Sequence, residues 1–167
     1  VVSGGFDPMH VGHLRMFTEA SELAPRLIVI TNSDNFLIEK KGYVFMPIAE
    51  RMEIIEGFAV VDKVVESIDE DLTVCKTLQW LTREENIKIF ANGGDRNSTD
   101  SIPEADVCRE NKIAMKFNVG GGKIQSSSSL VVKEIIKPWG SYKTFEKDKG
   151  FLVKRITIAP GETLSLQ

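Results

Sequence analysis

The stretch GGFDPMHVGH, residues 4–13, holds both histidines of the chain, His10 and His13, three positions apart behind a Gly-Gly-Phe-Asp turn. Side chains three apart on a helix share a face. Val1 to Ser3 read as the end of a strand and Val11 to Ala24 as an amphipathic helix, so the pair falls near a first helical turn. Unpaired backbone N–H groups and the helix macrodipole make that place favourable to an anion. The chemistry these residue types suit is the holding of a negatively charged group.

Composition narrows the partners. The 167 residues are enough for one full domain and part of another. Lys and Arg number 21 against 24 Asp and Glu, a net charge of −3, which argues against a nonspecific nucleic-acid binder and leaves room for a small anion held by local positive groups. Cys75 and Cys108 lie far apart with no metal-ligand spacing and read as reduced thiols. No apolar run has the length of a membrane span and no signal peptide is visible, so the expectation is a soluble, cytoplasmic protein without a membrane partner. The first residue is not Met, and the opening strand has about half the usual five or six residues, which suggests a fragment of a longer reading frame.

The elements that must position the histidines alternate between β and α patterns. Arg26 to Thr31 is a continuous apolar run, as expected of a strand buried on both faces, and NSDNFLIEKKGYVF after it reads as a polar loop. Pro47 opens a helix with Ile48, Met52, Ile55 and Phe58 on one side. Lys63 to Glu66, Ile87 to Ala91 and Ala114 to Val119 read as strands, and Thr73 to Thr82, Pro103 to Glu110 and Leu130 to Ile136 as helices. Such alternation predicts an α/β, Rossmann-like parallel sheet with helices on both faces, whose ligands bind at the carboxyl ends of strands. From Lys137 the texture changes to alternating apolar and polar residues with Gly turns, which predicts antiparallel strands and a domain boundary between residues 136 and 137.

Several ordered motifs carry a family resemblance. GGFDPMHVGH, LIVITNSD, KKG, ERMEII, FANGGDR and the serine run at 126–129 resemble, in that order, the H-x-G-H nucleotidyltransferases of the cytidylyltransferase-like superfamily. The register is most similar to the branch of heptose-1-phosphate adenylyltransferases and glycerol-3-phosphate cytidylyltransferase. The resemblance implies transfer of an NMP group from CTP or ATP to a sugar phosphate or polyol phosphate, with loss of pyrophosphate and with Mg²⁺ accompanying the nucleotide through its phosphates rather than through protein ligands. A homodimer is allowed for. His10 and His13 are then expected to donate N–H bonds to the triphosphate, with Gly12 letting the backbone approach. Gly4, Gly5, Phe6 and Asp7 form the nucleotide and acceptor loop. Lys40 or Lys41, on a mobile loop, neutralises phosphate, with Arg51 a second cation. Gly94, Asp95 and Arg96 line the nucleotide, Asp95 serving as a ligand or as a turn former. Ser127, Ser128 and Ser129 act as helix cap, phosphate contact or both. The usual Arg-Thr-Glu-Gly lead into a Ser-Thr-Thr segment is replaced here by Gly120-Gly121-Gly122-Lys123-Ile124-Gln125, with Lys123 a replacement for the charge.

PWGSYKTF and VKRITIAPGETLSLQ in the tail are similar to the opening strands of the cupin domain of type II mannose-6-phosphate isomerases. The resemblance implies a truncated all-β cupin segment over 137–167, without the metal ligands that follow this stretch in that family. Two other functions are weighed against a free-standing transferase: a bifunctional protein whose main identity is the isomerase, and a nucleotide-binding module that has lost catalysis.

Overall fold

Five short apolar runs pair side by side in the computed structural model, which describes residues 1–93, 102–122, 126–131, 134–148 and 151–164. They are β1 (Val2–Gly4), β2 (Ile28–Thr31), β3 (Lys63–Glu66), β4 (Ile89–Gly93) and β5 (Ala114–Val119). All pairings are parallel, in the order β3-β2-β1-β4-β5, so β1 is central. Alternation along each strand sorts side chains into two cores. Ile28, Ile30, Val65 and Phe90 pack on one face with Leu78 and Leu81 of α4 (Cys75–Glu85) and with Val107 and Cys108 of α5 (Glu104–Glu110). On the other face Val2, Val29 and Ala91 pack with Met16, Phe17 and Ala20 of α1 (Val11–Ser21) and with Ile55 of α3 (Ile48–Glu56). This is the expected Rossmann-like arrangement.

The chain divides into two compact units, Val1–Ser127 and Ser128–Gln167. In the second, β6 (Glu134–Lys137), β7 (Gly140–Asp148) and β8 (Phe151–Ile158) form an antiparallel sheet in that order. Tyr142 stacks on Trp139, and the Lys154 ammonium lies 4.5 Å over the Tyr142 ring. No helix among the described residues is long and apolar enough to cross a membrane.

Two expected elements are corrected. The supposed loop at 32–45 contains helix α2 (Asp34–Lys41). Ser33 caps it by accepting from the Phe36 N–H, and Gly42 ends it in the left-handed conformation, φ 81°, with its N–H on the Ile38 carbonyl. The helix expected over Leu130–Ile136 is only α6 (Ser127–Val131), and Ile135 and Ile136 instead belong to β6, opposite Tyr142 and Ser141. Residues 134–137 find their hydrogen-bond partners in a strand further along the chain, and that pairing overrides local periodicity.

After β5 the chain turns through two glycines of different character. A Cβ on Gly120 (φ 87°) would lie 2.7 Å from the Met16 backbone of α1, whereas one on Gly121 (φ 76°) would meet nothing within 4 Å. Gly121→Ala is therefore expected to cost only the left-handed backbone penalty of about 1–2 kcal/mol. Gly120→Ala adds a clash with helix backbone that cannot yield, and should destabilise by at least about 1 kcal/mol more. Urea unfolding of the two variants checks this; equal losses would show that α1 does not press on Gly120.

Candidate active site

The loop that leaves β1 folds back on itself. Phe6 takes a left-handed conformation, φ 49°, and its ring lies where a Cβ on Gly4 would be, 2.9 Å away. Buried, the ring meets His13 and Phe17 edge-on at centroid distances of 5.1 and 5.2 Å. Gly5 is needed for a different reason, since a Cβ there would sit 2.7 Å from Leu37 of α2. The Gly-Gly-Phe run thus wedges one aromatic ring beneath the second histidine.

His10 and His13 stack face to face, 3.7 Å between centroids. His10 is the N-cap of α1: its Nδ1 accepts from the Gly12 N–H at 3.1 Å, while its own N–H donates to His13 Nδ1 at 3.2 Å. Each Nδ1 is therefore an acceptor, which places the proton of each neutral ring on Nε2. The pair offers two adjacent Nε2–H donors. Burial lowers the pKa of His10, and burial followed by repulsion from His10 lowers that of His13 to about 3, so both rings are neutral at pH 7. Gly12 serves the histidines themselves: a Cβ there would lie 2.9 Å from the His10 ring.

Near the histidines in the chain, buried Asp7 accepts four hydrogen bonds from three groups. Its carboxylate accepts from Lys41 Nζ at 2.7 Å, the Phe45 N–H at 2.8 Å and the Met46 N–H at 2.6 Å, and Lys41 Nζ also reaches the Asp7 carbonyl at 2.8 Å. Lys41 ends α2 with its ammonium 4.5 Å over the Tyr43 ring, while Lys40 is exposed and 5.3 Å over Phe36. The two lysines are thus separated by geometry where spacing left them equivalent.

Arg51, expected as a second cation for phosphate, is enclosed by protein oxygens. It is 0 % exposed, and its guanidinium donates to the carbonyls of Met46 (2.9 Å), Gly5 (2.7 Å) and Asn32 (2.8 Å) and to Asp34 Oδ1 (2.5 Å). Four of its five donors are spent on protein oxygens. It is a clamp between the carboxyl ends of β1 and β2. Ser127 donates to the Pro8 carbonyl at 2.9 Å, and Ser128 and Ser129 follow it in α6 as part of the second unit. Gly94, Asp95, Arg96 and Lys123 lie outside the described residues.

Comparison with known proteins gives the family. The family model described as Cytidylyltransferase-like matches residues 1–138. The chain belongs to the cytidylyltransferase-like family. A FAD synthase of Thermococcus sibiricus is 35% identical over 115 residues, which cover 66% of this chain and 73% of that protein. The Bifunctional protein HldE of Vibrio atlanticus is 34% identical over 137 residues, 81% of this chain and 27% of that protein, and the HldE of Streptomyces coelicolor 34% over 113, 66% and 23%. The chain thus spans about a quarter of the length of the bifunctional relatives. A lipopolysaccharide core biosynthesis protein from Thermoplasma volcanium shares the fold, with TM-score 0.57 at 18% identity over 71% of this chain and 92% of that one. A second model, Mannose-6-phosphate isomerase C-terminal, matches residues 125–167.

Sequence reasoning about this cytidylyltransferase-like nucleotidyltransferase missed Asp34 and Asn32 as parts of the site's frame. Asp34 pairs with Arg51 and accepts from the Ile48 N–H, and Asn32 lends its carbonyl to the same guanidinium. The signal was in hand, since NSD and the Arg of ERMEII were both recognised as motifs; what spacing does not convey is that they meet. Thr31 Oγ1 and Asn32 Oδ1, at the end of β2, are buried without a partner among the described residues.

The depressed His13 pKa has a consequence for stability. The unfolded chain takes up a proton at this histidine below pH 6.5, whereas the folded chain does not until about pH 3. Folded stability from this residue is therefore fully present above pH 6.5 and is lost as pH falls toward 3. His13→Asn keeps an acceptor near the Nδ1 position and removes the titration. The stability of the native chain relative to this variant should be constant above pH 6.5 and decline below it. Denaturant melts of both chains across that range test this; parallel curves would show an ordinary, solvated histidine.

Proposed function

We propose that this nucleotidyltransferase moves an NMP group from ATP or CTP onto the phosphate of a sugar or polyol. The observation that carries the reading is the stacked pair of neutral imidazoles presenting two Nε2–H donors at the carboxyl end of the central strand. In the reaction an oxygen of the acceptor phosphate forms a bond to the α-phosphorus, the bond to the bridging oxygen breaks, and pyrophosphate leaves with that electron pair. The attacking oxygen is already anionic, so no base is required. Charge accumulates on the α-phosphate oxygens and the bridging oxygen, where fixed N–H donors stabilise the transition state more than the ground state. Neutral rings suit that role because they donate hydrogen bonds without surrendering a proton.

Magnesium is part of the proposal as a companion of the triphosphate. Among the described residues no three His, Cys, Asp or Glu side chains gather into a metal site, and Asp7 is committed to Lys41 and two backbone N–H groups. Phosphate oxygens and water would supply its ligands, and the ion would neutralise the departing pyrophosphate. The similarity to HldE proteins and to a FAD synthase supports an acceptor that is a phosphate monoester and favours ATP within the pair. The match of residues 125–167 to the isomerase model supports a bifunctional protein in which the transferase is one part.

Pyrophosphate release should appear with ATP or CTP only when an acceptor is supplied from a panel of hexose, heptose and glycerol phosphates and flavin mononucleotide. His10→Asn and His13→Asn keep the acceptor near Nδ1 and delete the Nε2 donor. Each should lower kcat about tenfold or more, the worth of one hydrogen bond to a charged group, while melting temperature stays close to the native value. Native turnover in both variants, or no release from any pairing, would refute the reading.

A further inference from the structure

A lysine ammonium has three N–H donors and no acceptor, so its partners show how much of it is left for a substrate. Lys41 Nζ donates to Asp7 Oδ2 at 2.7 Å and to the Asp7 carbonyl at 2.8 Å. It also lies 4.5 Å over the Tyr43 ring, whose face attracts a cation. The Lys41 side chain is 18 % exposed. As the last residue of α2 it sits where the negative end of the helix dipole favours a positive charge. Each of these interactions is made within the chain.

Asp7 is the partner less able to lose the contact, because its side chain is 0 % exposed. Its carboxylate otherwise meets the Phe45 and Met46 N–H groups, at 2.8 and 2.6 Å, which are neutral donors. Among the described residues Lys41 is the one cation in an ion pair with it. Withdrawing one member of a buried pair is strongly destabilising, since no water takes the place of the lost charge. A phosphate that drew Lys41 away would leave the carboxylate uncompensated in a place closed to solvent. The grip on Asp7 is at two points, carbonyl and side chain, and Asp7 lies three residues ahead of His10. The ammonium thereby fixes the segment that leads into the histidine pair.

We propose that Lys41 is a positioning residue and not a phosphate ligand: it stays on Asp7 when nucleotide binds, and it acts on the reaction through the placement of His10 and His13. The inference rests on the nucleotidyl-transfer reading for the reaction it serves. A brace and a direct ligand differ when Asp7 is neutralised as well. Asp7→Asn cannot replace a charge missing from the phosphates, whereas it does remove the buried carboxylate that Lys41 compensates.

The test is a double-mutant cycle on the full chain with Asp7→Asn, Lys41→Met and the two together. It is read as melting temperature and as kcat and KM for ATP or CTP, with rates taken well below all four melting temperatures. Lys41→Met should melt lower and lose about tenfold to a hundredfold in kcat, as expected of a misplacement of up to about 1 Å, with KM for the nucleotide little changed. The double variant should melt higher and turn over faster than Lys41→Met alone. A double variant no better than Lys41→Met, a Lys41→Met chain with native kcat, or a loss carried by KM would each overturn the proposal. Reductive methylation of the native chain decides even if a variant folds poorly. Lys41 should take up methyl groups equally slowly with and without saturating ATP, and protection that appears only with ATP would overturn the brace. Recovery of melting temperature in the double variant of a chain that turns over no nucleotide and acceptor would support the pairing on Asp7 while removing the transfer reading, so the two fail separately.

Discussion

A guanidinium with no solvent contact depends wholly on the oxygens around it. Arg51 meets the carbonyls of Gly5, Asn32 and Met46 and the Asp34 carboxylate. These four groups come from the ends of β1 and β2, the first turn of α2 and the approach to α3. Removing a charge from water is costly unless its donors are satisfied at good geometry, so the positions of the four are tied to one another. The loop that carries the histidines thus leaves the sheet from a defined point in a defined direction.

Asp7 is the buried anionic counterpart of Arg51 in that loop, and Met46 joins them. The Met46 N–H donates to Asp7 Oδ1 while its carbonyl accepts from Arg51 Nε. Two buried charges of opposite sign therefore share one residue, and moving either disturbs the other's partner. This polar fastening lies at the carboxyl ends of the strands, where a ligand site leaves little room for apolar packing. The interior of the sheet relies on the two apolar cores instead, with Phe17 and Ile55 on one face and Leu78 and Leu81 on the other, each 0 % exposed. The division suits a site that must stay wettable and rigid together.

Much of this was legible from residue order alone, and what was not has a physical cause. Arg26 to Thr31 reads as a strand buried on both faces and its last four residues, IVIT, are one, while the strands Lys63–Glu66 and Ala114–Val119 match residue for residue. Helix α2 escaped notice because its buried residues, Phe36 and Leu37, are adjacent rather than spaced along a stripe, although Ser33 and Gly42 were visible caps. The surroundings of Arg51 were illegible for a different reason. A cation in sequence carries no mark of whether it faces a phosphate or four carbonyls, and only tertiary burial separates the two. That the two histidines meet at the start of α1 was readable from their spacing, yet the donor that each ring presents follows from the Gly12 and His10 N–H groups, which no spacing rule supplies.

The charge arrangement also bears on what the site can do. Among the described residues near the histidines, Lys41 is paired with Asp7 and Arg51 with Asp34, and both imidazoles are neutral. On the reading proposed above, what the loop offers an anion is chiefly oriented dipoles, above all the two Nε2–H groups. Dipoles held by the fold need little reorganisation as negative charge moves from the acceptor oxygen toward the leaving pyrophosphate, and so favour the transition state. They also compensate less net charge than free ammonium groups would, which suits a triphosphate already partly neutralised by magnesium, as proposed above. The buried Arg51–Asp34 and Asp7–Lys41 pairs then serve to keep those dipoles pointed, and the chemistry of the site depends on charges that need not touch the substrate.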